Sequence, residues 1–255
     1  MRALVFDCDG VLAETERDGH LVAFNEAFAE AGLPVRWSEA EYAERLRTGG
    51  GKERIAQMLT PAFVREHKLP TDPDAQAEWI ARLHARKTAI FRRLVDEGGL
   101  EPRPGVLRLA DEAHAAGWST AVVSTSAEES VRAVLGHVAG PERAERFLVV
   151  AGDAVPAKKP DPAVYEAALR RLGAGPRESV AIEDSRIGLL AAVAAGVPCL
   201  VTVSSFTRGE DFSEAALVTT HLGDPGNPLE VLADPRRVAP RGAITLAELE
   251  ACLGG

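Results

Sequence analysis

The stretch Ala3-Leu4-Val5-Phe6-Asp7-Cys8-Asp9-Gly10 sets four apolar residues, with the length and character of a buried strand, directly against two carboxylates at i and i+2 and a glycine. Four more runs of the same kind follow, at Thr120–Val123, Phe147–Val150, Val180–Ile182 and Cys199–Val203. Helical patterns fill the spaces between them. Pro104-Gly105 leads into a helix with Val106, Leu109, Ala110 and Ala113 on one face and Gly117 at its end. Asp161-Pro162 opens another, with Val164, Ala168 and Leu172 on one face and Gly173 as its stop. Ser185 precedes a third, apolar nearly all round and so expected to be buried. Strands alternating with helices predict a doubly wound, Rossmann-like α/β core with a parallel sheet covered on both faces.

Phe6 and Thr120 are much further apart than a simple crossover requires, so something is inserted between them. Apolar residues recur there at helical spacing, as in Leu21, Phe24 and Phe28, or Ile90, Phe91 and Leu94, and no strand is evident. The expectation is an all-helical cap domain over residues 16–94, inserted into a core made of residues 1–15 and 95–255. The segment 204–240, rich in Gly, Pro, Asp and Ser, reads as surface connection, followed by a short helix over Ile244–Leu253.

The chain has 255 residues and a net charge of -9, from 29 Lys+Arg against 38 Asp+Glu. That balance argues against a partner bound through a nucleic-acid backbone, and a small molecule is expected instead. No window approaches the ~18 apolar residues of a membrane span, so no membrane partner is expected. Cys8, Cys199 and Cys252 form neither an even set nor a CxxC pair, which fits a reducing, cytoplasmic setting. The chain is expected to act as a monomer. Only five of its basic residues are lysines: Lys52, Lys68, Lys87, Lys158 and Lys159.

Ligands of an open parallel sheet bind beyond the carboxyl ends of its strands. The five runs lead there into Asp7 and Asp9, Ser124-Thr125-Ser126, Gly152-Asp153, Glu183-Asp184 and Ser204-Ser205. A single aspartate such as Asp153 reads as a turn former. Two carboxylates after one strand and an acidic pair after another are a different matter, because their mutual repulsion and desolvation call for a cation, and oxygen ligands favour Mg²⁺ over zinc. No GxSxG or HExxH occurs. Gly49-Gly50-Gly51-Lys52 resembles a P-loop, but Leu46 stands in place of its first glycine, Glu53 follows the lysine, and no strand precedes it.

FDCDGVLAETE, VVSTS, KKPDPAVY and AIEDSRIGLLAA together resemble, in order and spacing, the four motifs of the haloacid dehalogenase-like hydrolases, and the helical insertion is similar to that family's small cap. ETERDGHLVAFNEAF, RTGGGKERI and LHARKTAIF resemble the CbbY branch, whose members dephosphorylate sugar bisphosphates, with xylulose 1,5-bisphosphate as the known substrate. The resemblance implies a phosphoric monoester hydrolase of carbohydrate metabolism. Asp7 would be the nucleophile and Asp9 the general acid and base. Mg²⁺ would be held by the Asp7 and Asp184 carboxylates and the Asp9 carbonyl, with Glu183 as either an additional ligand or an orienting residue. Ser124 would bind the transferring phosphoryl group, helped by Thr125 and Ser126 where a helix begins near Ala127, and Lys159 would balance its charge. A second phosphate needs a second cationic site. Lys52, on the loop of Gly50 and Gly51, and Lys87 are the cap candidates, and Glu14 could accept from sugar hydroxyls. The alternatives are a β-phosphoglucomutase-like phosphomutase and a phosphatase for another phosphosugar or phosphoglycolate. A non-catalytic phosphosugar sensor would require the loss of a catalytic element, and all are present.

Overall fold

A computed structural model describes residues 1–254. The chain divides into two compact units, one of residues 1–15 and 100–255 and the other of residues 16–99. The second crossing therefore falls at Gly99–Leu100 rather than after Leu94. The reason is local: the long helix of the insertion carries its apolar face on through Val95 and ends only at Asp96.

The α/β unit is built on one seven-stranded sheet. Its strands are β1 (Ala3–Asp7), β2 (Ser119–Ser124), β3 (Phe147–Ala151), β4 (Ser179–Glu183), β5 (Cys199–Thr202), β6 (Leu217–Thr219) and β7 (Val231–Ala233), in the spatial order β3-β2-β1-β4-β5-β6-β7. All pairs are parallel except β6 with β7. The strands β6 and β7 correct the reading of 204–240 as connection only. Leu217–Thr219 is fully buried but too short to stand out in a polar context, and β7 is exposed and carries no period-2 alternation.

Four of the predicted strands gain a residue at their carboxyl ends, while the fifth stops at Thr202 rather than Val203. The ladder with β2 continues to the last residue of β1, and Asp7, Ser124 and Glu183 become terminal strand residues rather than loop residues. Because the chain order reverses on either side of β1, the crevice at the carboxyl ends of β1 and β4 is the topological switch point where such sheets bind ligands.

The helical unit contains α1 (Val22–Glu30), which continues a π-helical turn at Glu16–Leu21, then α2 (Glu39–Arg45), α3 (Gly51–Ala56), α4 (Pro61–Glu66) and α5 (Pro73–Asp96). Its starts are written in the sequence. Ser38 and Glu41 form a reciprocal capping box, and Asp72 accepts from Ala75 N with Pro73 behind it. Its core is aromatic, with Phe24, Phe28, Trp37 and Tyr42 packed at ring-centroid distances of 4.7–6.0 Å.

In the α/β unit the flanking helices include α6 (Val106–Ala115), α7 (Glu128–Ala139), α8 (Pro141–Ala144), α9 (Ala163–Leu172), α10 (Arg186–Ala194) and α11 (Leu246–Leu253). One face of the sheet buries Val5, Val123, Ala181 and Val201 against Tyr165 and Ala168 of α9 and Leu189 and Ala192 of α10. No helix among the described residues is long and apolar enough to cross a membrane.

Candidate active site

The register does the first part of the work. Phe6 lies opposite Ile182 in the β1–β4 ladder, so the next residue on each strand, Asp7 and Glu183, comes to the same edge. Asp184 follows at once. Asp7, Glu183 and Asp184 each offer a carboxylate oxygen within 4.8 Å of the others, and all three are buried. Gly10 is what lets the loop after β1 pass this cluster. Its φ is +78°, and a Cβ there would stand 2.1 Å from Asp184 Oδ2.

Lys159 enters from far along the chain. Its Nζ donates to Asp7 Oδ1 at 2.5 Å, to Glu183 Oε1 at 2.6 Å and to the Val123 carbonyl at 3.3 Å. Burial opposes its charge, but the two carboxylates prevail and hold its pKa above the ordinary lysine value. Burial also pushes Asp7 well up, aided by Glu183 and Asp9 and opposed by Lys159. It pushes Asp184 up in the same direction, with Asp7 adding to the effect. An acidic nest with one ammonium is thus under-neutralised, and its all-oxygen donor set suits a hard divalent cation.

Asp9 stands apart from that cluster. Thr15 Oγ1 donates to its Oδ1 at 2.5 Å, and Ser126 Oγ donates to its Oδ2 at 2.6 Å, with Ser124 Oγ at 3.4 Å. Ser124 Oγ in turn accepts from Ser126 N at 3.0 Å. The hydroxyls expected to face a phosphoryl group therefore also hold the second aspartate. Thr125, between them, is half-buried.

Glu183 uses one oxygen twice. Its Oε1 accepts from Lys159 and, at 2.5 Å, from the Tyr165 hydroxyl, while Oε2 is buried with no hydrogen-bond partner. Oε2 lies against Gly188, where a Cβ would be 1.9 Å away. Gly188→Ala should therefore force a pinned side chain to move, at about 1–3 kcal/mol for an overpacked core. At roughly 2–4 °C per kcal/mol for a chain of this size, thermal denaturation should show a clear fall in Tm; an unchanged midpoint would contradict the packing.

Two residues tie the loop after β1 to the far half of the sheet. Arg103, buried, donates to the carbonyls of Gly10, Thr202 (3.1 Å), Val203 (2.7 Å) and Thr220 (2.6 Å). Glu14 lies 3.7 Å from the Arg103 Nε and accepts from Ser205 N and Oγ at 3.3 and 3.1 Å. The carboxylate expected to meet sugar hydroxyls is thus engaged with Arg103 and Ser205. Asp153 sits in a 3-10 turn at Gly152–Ala154 and pairs with Lys158 at 3.1 Å, in line with its reading as a turn former.

Within the helical unit Lys87 is not a solvated surface charge. It is 5% exposed, its ammonium gives a hydrogen to His20 Nδ1 at 2.6 Å, and it lies over the Phe24 and Phe91 rings. Lys52 is half-buried on the first turn of α3. Gly50 precedes that turn at φ +99°, and at Gly51 a Cβ would meet His84 Nε2 at 2.6 Å, so these glycines serve local packing as well. Arg54, also buried, donates to the Tyr42 hydroxyl at 3.1 Å and to the Thr48 carbonyl at 3.0 Å, and the Tyr42 hydroxyl donates to Glu16 at 2.6 Å.

Thr15, Arg103 and Tyr165 escape the sequence reading. Thr15 and Tyr165 lie inside the quoted motif stretches, and a hydroxyl at each was the available signal. Nothing local distinguishes Arg103 from the chain's other arginines.

Known proteins resemble this chain in sequence and fold. Residues 1–196 match the family model of the haloacid dehalogenase-like hydrolases. A CBBY-like protein of Arabidopsis thaliana is 48% identical over 223 residues, covering 88% of this chain and 70% of the relative. The plasmid-borne CbbY protein of Cupriavidus necator is 42% identical over 233 residues, covering 90% of this chain and 89% of the relative. The crystal structure of an aspartate-to-asparagine variant of CbbY from Rhodobacter sphaeroides, in complex with xylulose 1,5-bisphosphate, superposes with a TM-score of 0.77 at 40% identity, over 87% of this chain and 94% of that one. With its carboxylates and lysine gathered at the switch point of a matching fold, this chain belongs to the haloacid dehalogenase-like hydrolases, in their CbbY-like branch of phosphatases.

Proposed function

We propose that the protein is a Mg²⁺-dependent phosphatase that hydrolyses a sugar bisphosphate, xylulose 1,5-bisphosphate, through an aspartyl phosphate at Asp7. The observation that carries this reading is Lys159 Nζ bridging Asp7 and Glu183, beside Asp184 and with Asp9 held separately. Asp7 attacks phosphorus, and the bond to the sugar oxygen breaks as Asp9 gives that oxygen its proton. Water then attacks the acyl phosphate while Asp9 takes a proton from it, releasing inorganic phosphate and restoring the Asp7 carboxylate. Ser124 and Lys159 stabilise charge on the transferring group.

The Asp7 and Asp184 carboxylates and the Asp9 carbonyl would hold Mg²⁺, which when bound neutralises phosphoryl charge. Glu183, with one oxygen committed to Lys159 and Tyr165, fits the orienting role rather than ligation. Thr125 and Ser126 are proposed phosphate contacts. Glu14, Gly50, Gly51, Lys52 and Lys87 are proposed specificity residues, with Lys52 the cation for the second phosphate. The setting proposed is cytoplasmic, with the chain acting as a monomer on a small phosphosugar.

The substrate is supported by the Rhodobacter complex with xylulose 1,5-bisphosphate. Phosphate release from this ester should exceed that from phosphoglycolate by at least about 100-fold in kcat/KM, since losing paired contacts to a second phosphate costs several kcal/mol. Equal rates would sink the assignment. Glucose 6-phosphate formed from β-glucose 1-phosphate with a bisphosphate primer would favour a mutase.

A further inference from the structure

We propose that Tyr165 is a positioning residue for the reaction: its hydroxyl fixes the Glu183 carboxylate, and Glu183 so fixed holds the Lys159 ammonium against Asp7. The inference rests on the phosphoryl-transfer reading above. A lysine ammonium is a point charge on four flexible methylenes, with three donors and no preferred partner plane. Its position is only as definite as that of the groups it meets.

Glu183 is an unreliable guide on its own. The terminal torsion of a glutamate is broad and two-fold, and its two oxygens are chemically equal. In this protein they are made unequal. Tyr165 donates to Oε1 at 2.5 Å, the same oxygen that takes Lys159 at 2.6 Å, and Oε2 is left against Gly188 with no partner. A carboxylate free to choose would offer that orphan oxygen to the ammonium. The phenol prevents this, because rotation would also break its own hydrogen bond and strand a buried hydroxyl.

Tyr165 can enforce the choice because it is immobile. It is fully buried, on the first turn of α9, among Val5, Val123 and Ala181 of the sheet. Its ring centroid lies 5.5 Å from Lys159 Nζ, so the aromatic face supports the same ammonium that its hydroxyl places indirectly. Lysine and guide are six residues apart, on a segment that enters α9 through Pro160 and Pro162. Phenylalanine would keep the ring, its burial and its contact with the ammonium, and would remove only the hydrogen bond.

The test is a double-mutant cycle with Tyr165→Phe and Glu183→Ala, assayed with p-nitrophenyl phosphate and with xylulose 1,5-bisphosphate, together with a crystal structure of Tyr165→Phe. Misplacing a reacting group by a fraction of an ångström should lower kcat about 10-fold while KM stays within about twofold. The effect should vanish in the Glu183→Ala background, because a residue acting through the Glu183 side chain then has no acceptor left to act on. The structure should show Lys159 Nζ drawn away from Asp7 or turned to Glu183 Oε2. An unchanged kcat, a change in KM alone, additive effects, or an undisturbed Lys159 would each overturn the proposal. A Tyr165→Phe protein that fails to fold would also overturn it, by assigning Tyr165 to stability alone. Wild-type turnover of p-nitrophenyl phosphate without turnover of the bisphosphate removes the substrate assignment and leaves this cycle intact. Failure on both esters removes the catalytic reading and this proposal with it.

Discussion

Asp7→Asn is expected to reduce phosphate release by at least about 10⁴-fold, the scale on which enzymes respond to loss of a nucleophile, while the protein still folds. The amide keeps the shape of the carboxylate but has no anionic oxygen to offer phosphorus. The packing should tolerate it, because Asp7 is a terminal residue of β1 and its backbone remains in the ladder with β2, opposite Val123. Lys159 loses one carboxylate but retains Glu183 at 2.6 Å. The nest also loses a charge that Glu183 and Asp9 disfavour and that burial penalises. Tm should therefore stay within a few degrees of the wild type, which separates loss of chemistry from loss of fold. Asp9→Asn is the informative comparison: with the nucleophile intact, a stalled second step would leave phosphate covalently on the protein, visible by mass spectrometry of the intact chain. Substantial turnover by Asp7→Asn would remove Asp7 as the nucleophile.

Removal of divalent cations with EDTA should abolish turnover, and excess Mg²⁺ should restore it. Burial, with repulsion from neighbouring carboxylates, pushes Asp7 and Asp184 above their ordinary value of 3.8, so the folded, metal-free protein binds protons that the unfolded chain releases. Carboxylates shifted upward in this way destabilise the fold progressively as pH rises from the ordinary value through the raised one. A cation reverses that penalty and competes with those protons. The Mg²⁺-induced rise in Tm should therefore be larger at pH 8 than at pH 5. At a concentration 100 times the dissociation constant, ligand linkage contributes about 2.7 kcal/mol, or roughly 5–10 °C for a chain of this length. Scanning fluorimetry at the two pH values, with and without Mg²⁺, measures this directly. A shift that is absent, or larger at the lower pH, would contradict a metal site built on these carboxylates.

Much of this site could be read from the residues in order. The run into Asp7 and Asp9 and the run into Glu183 and Asp184 are local patterns, an apolar segment of strand length ending in charge, and local patterns survive in a sequence. The same holds for the helical insertion, whose caps at Ser38 and Asp72 lie beside the residues they serve. The pattern fails where an element is defined by its neighbours. The strands β6 and β7 exist because a partner strand is there to pair with, and three residues carry too little periodicity to announce it. Lys87, in His84-Ala85-Arg86-Lys87-Thr88, reads as a cation for a second phosphate, and only the packing of Phe24 and Phe91 shows that it is buried. Glu14 has the chemistry to meet a sugar but stands beside Arg103 and Ser205, which lie far away in the chain.

The sequence by itself determined which groups are available: two carboxylates after the first strand, an acidic pair after the fourth, a hydroxyl cluster after the second, and a lysine ahead of a helix. Tertiary structure alone decided which of them touch. Parallel strands must be joined by crossovers, so every pairing in such a sheet is remote in sequence, and its register fixes which chain ends meet. That register sets Asp7 beside Glu183, and the connection from β3 to α9 brings to them a lysine from 152 residues away. The packing of α9 on the sheet places a buried tyrosine where its hydroxyl can decide which carboxylate oxygen that lysine meets.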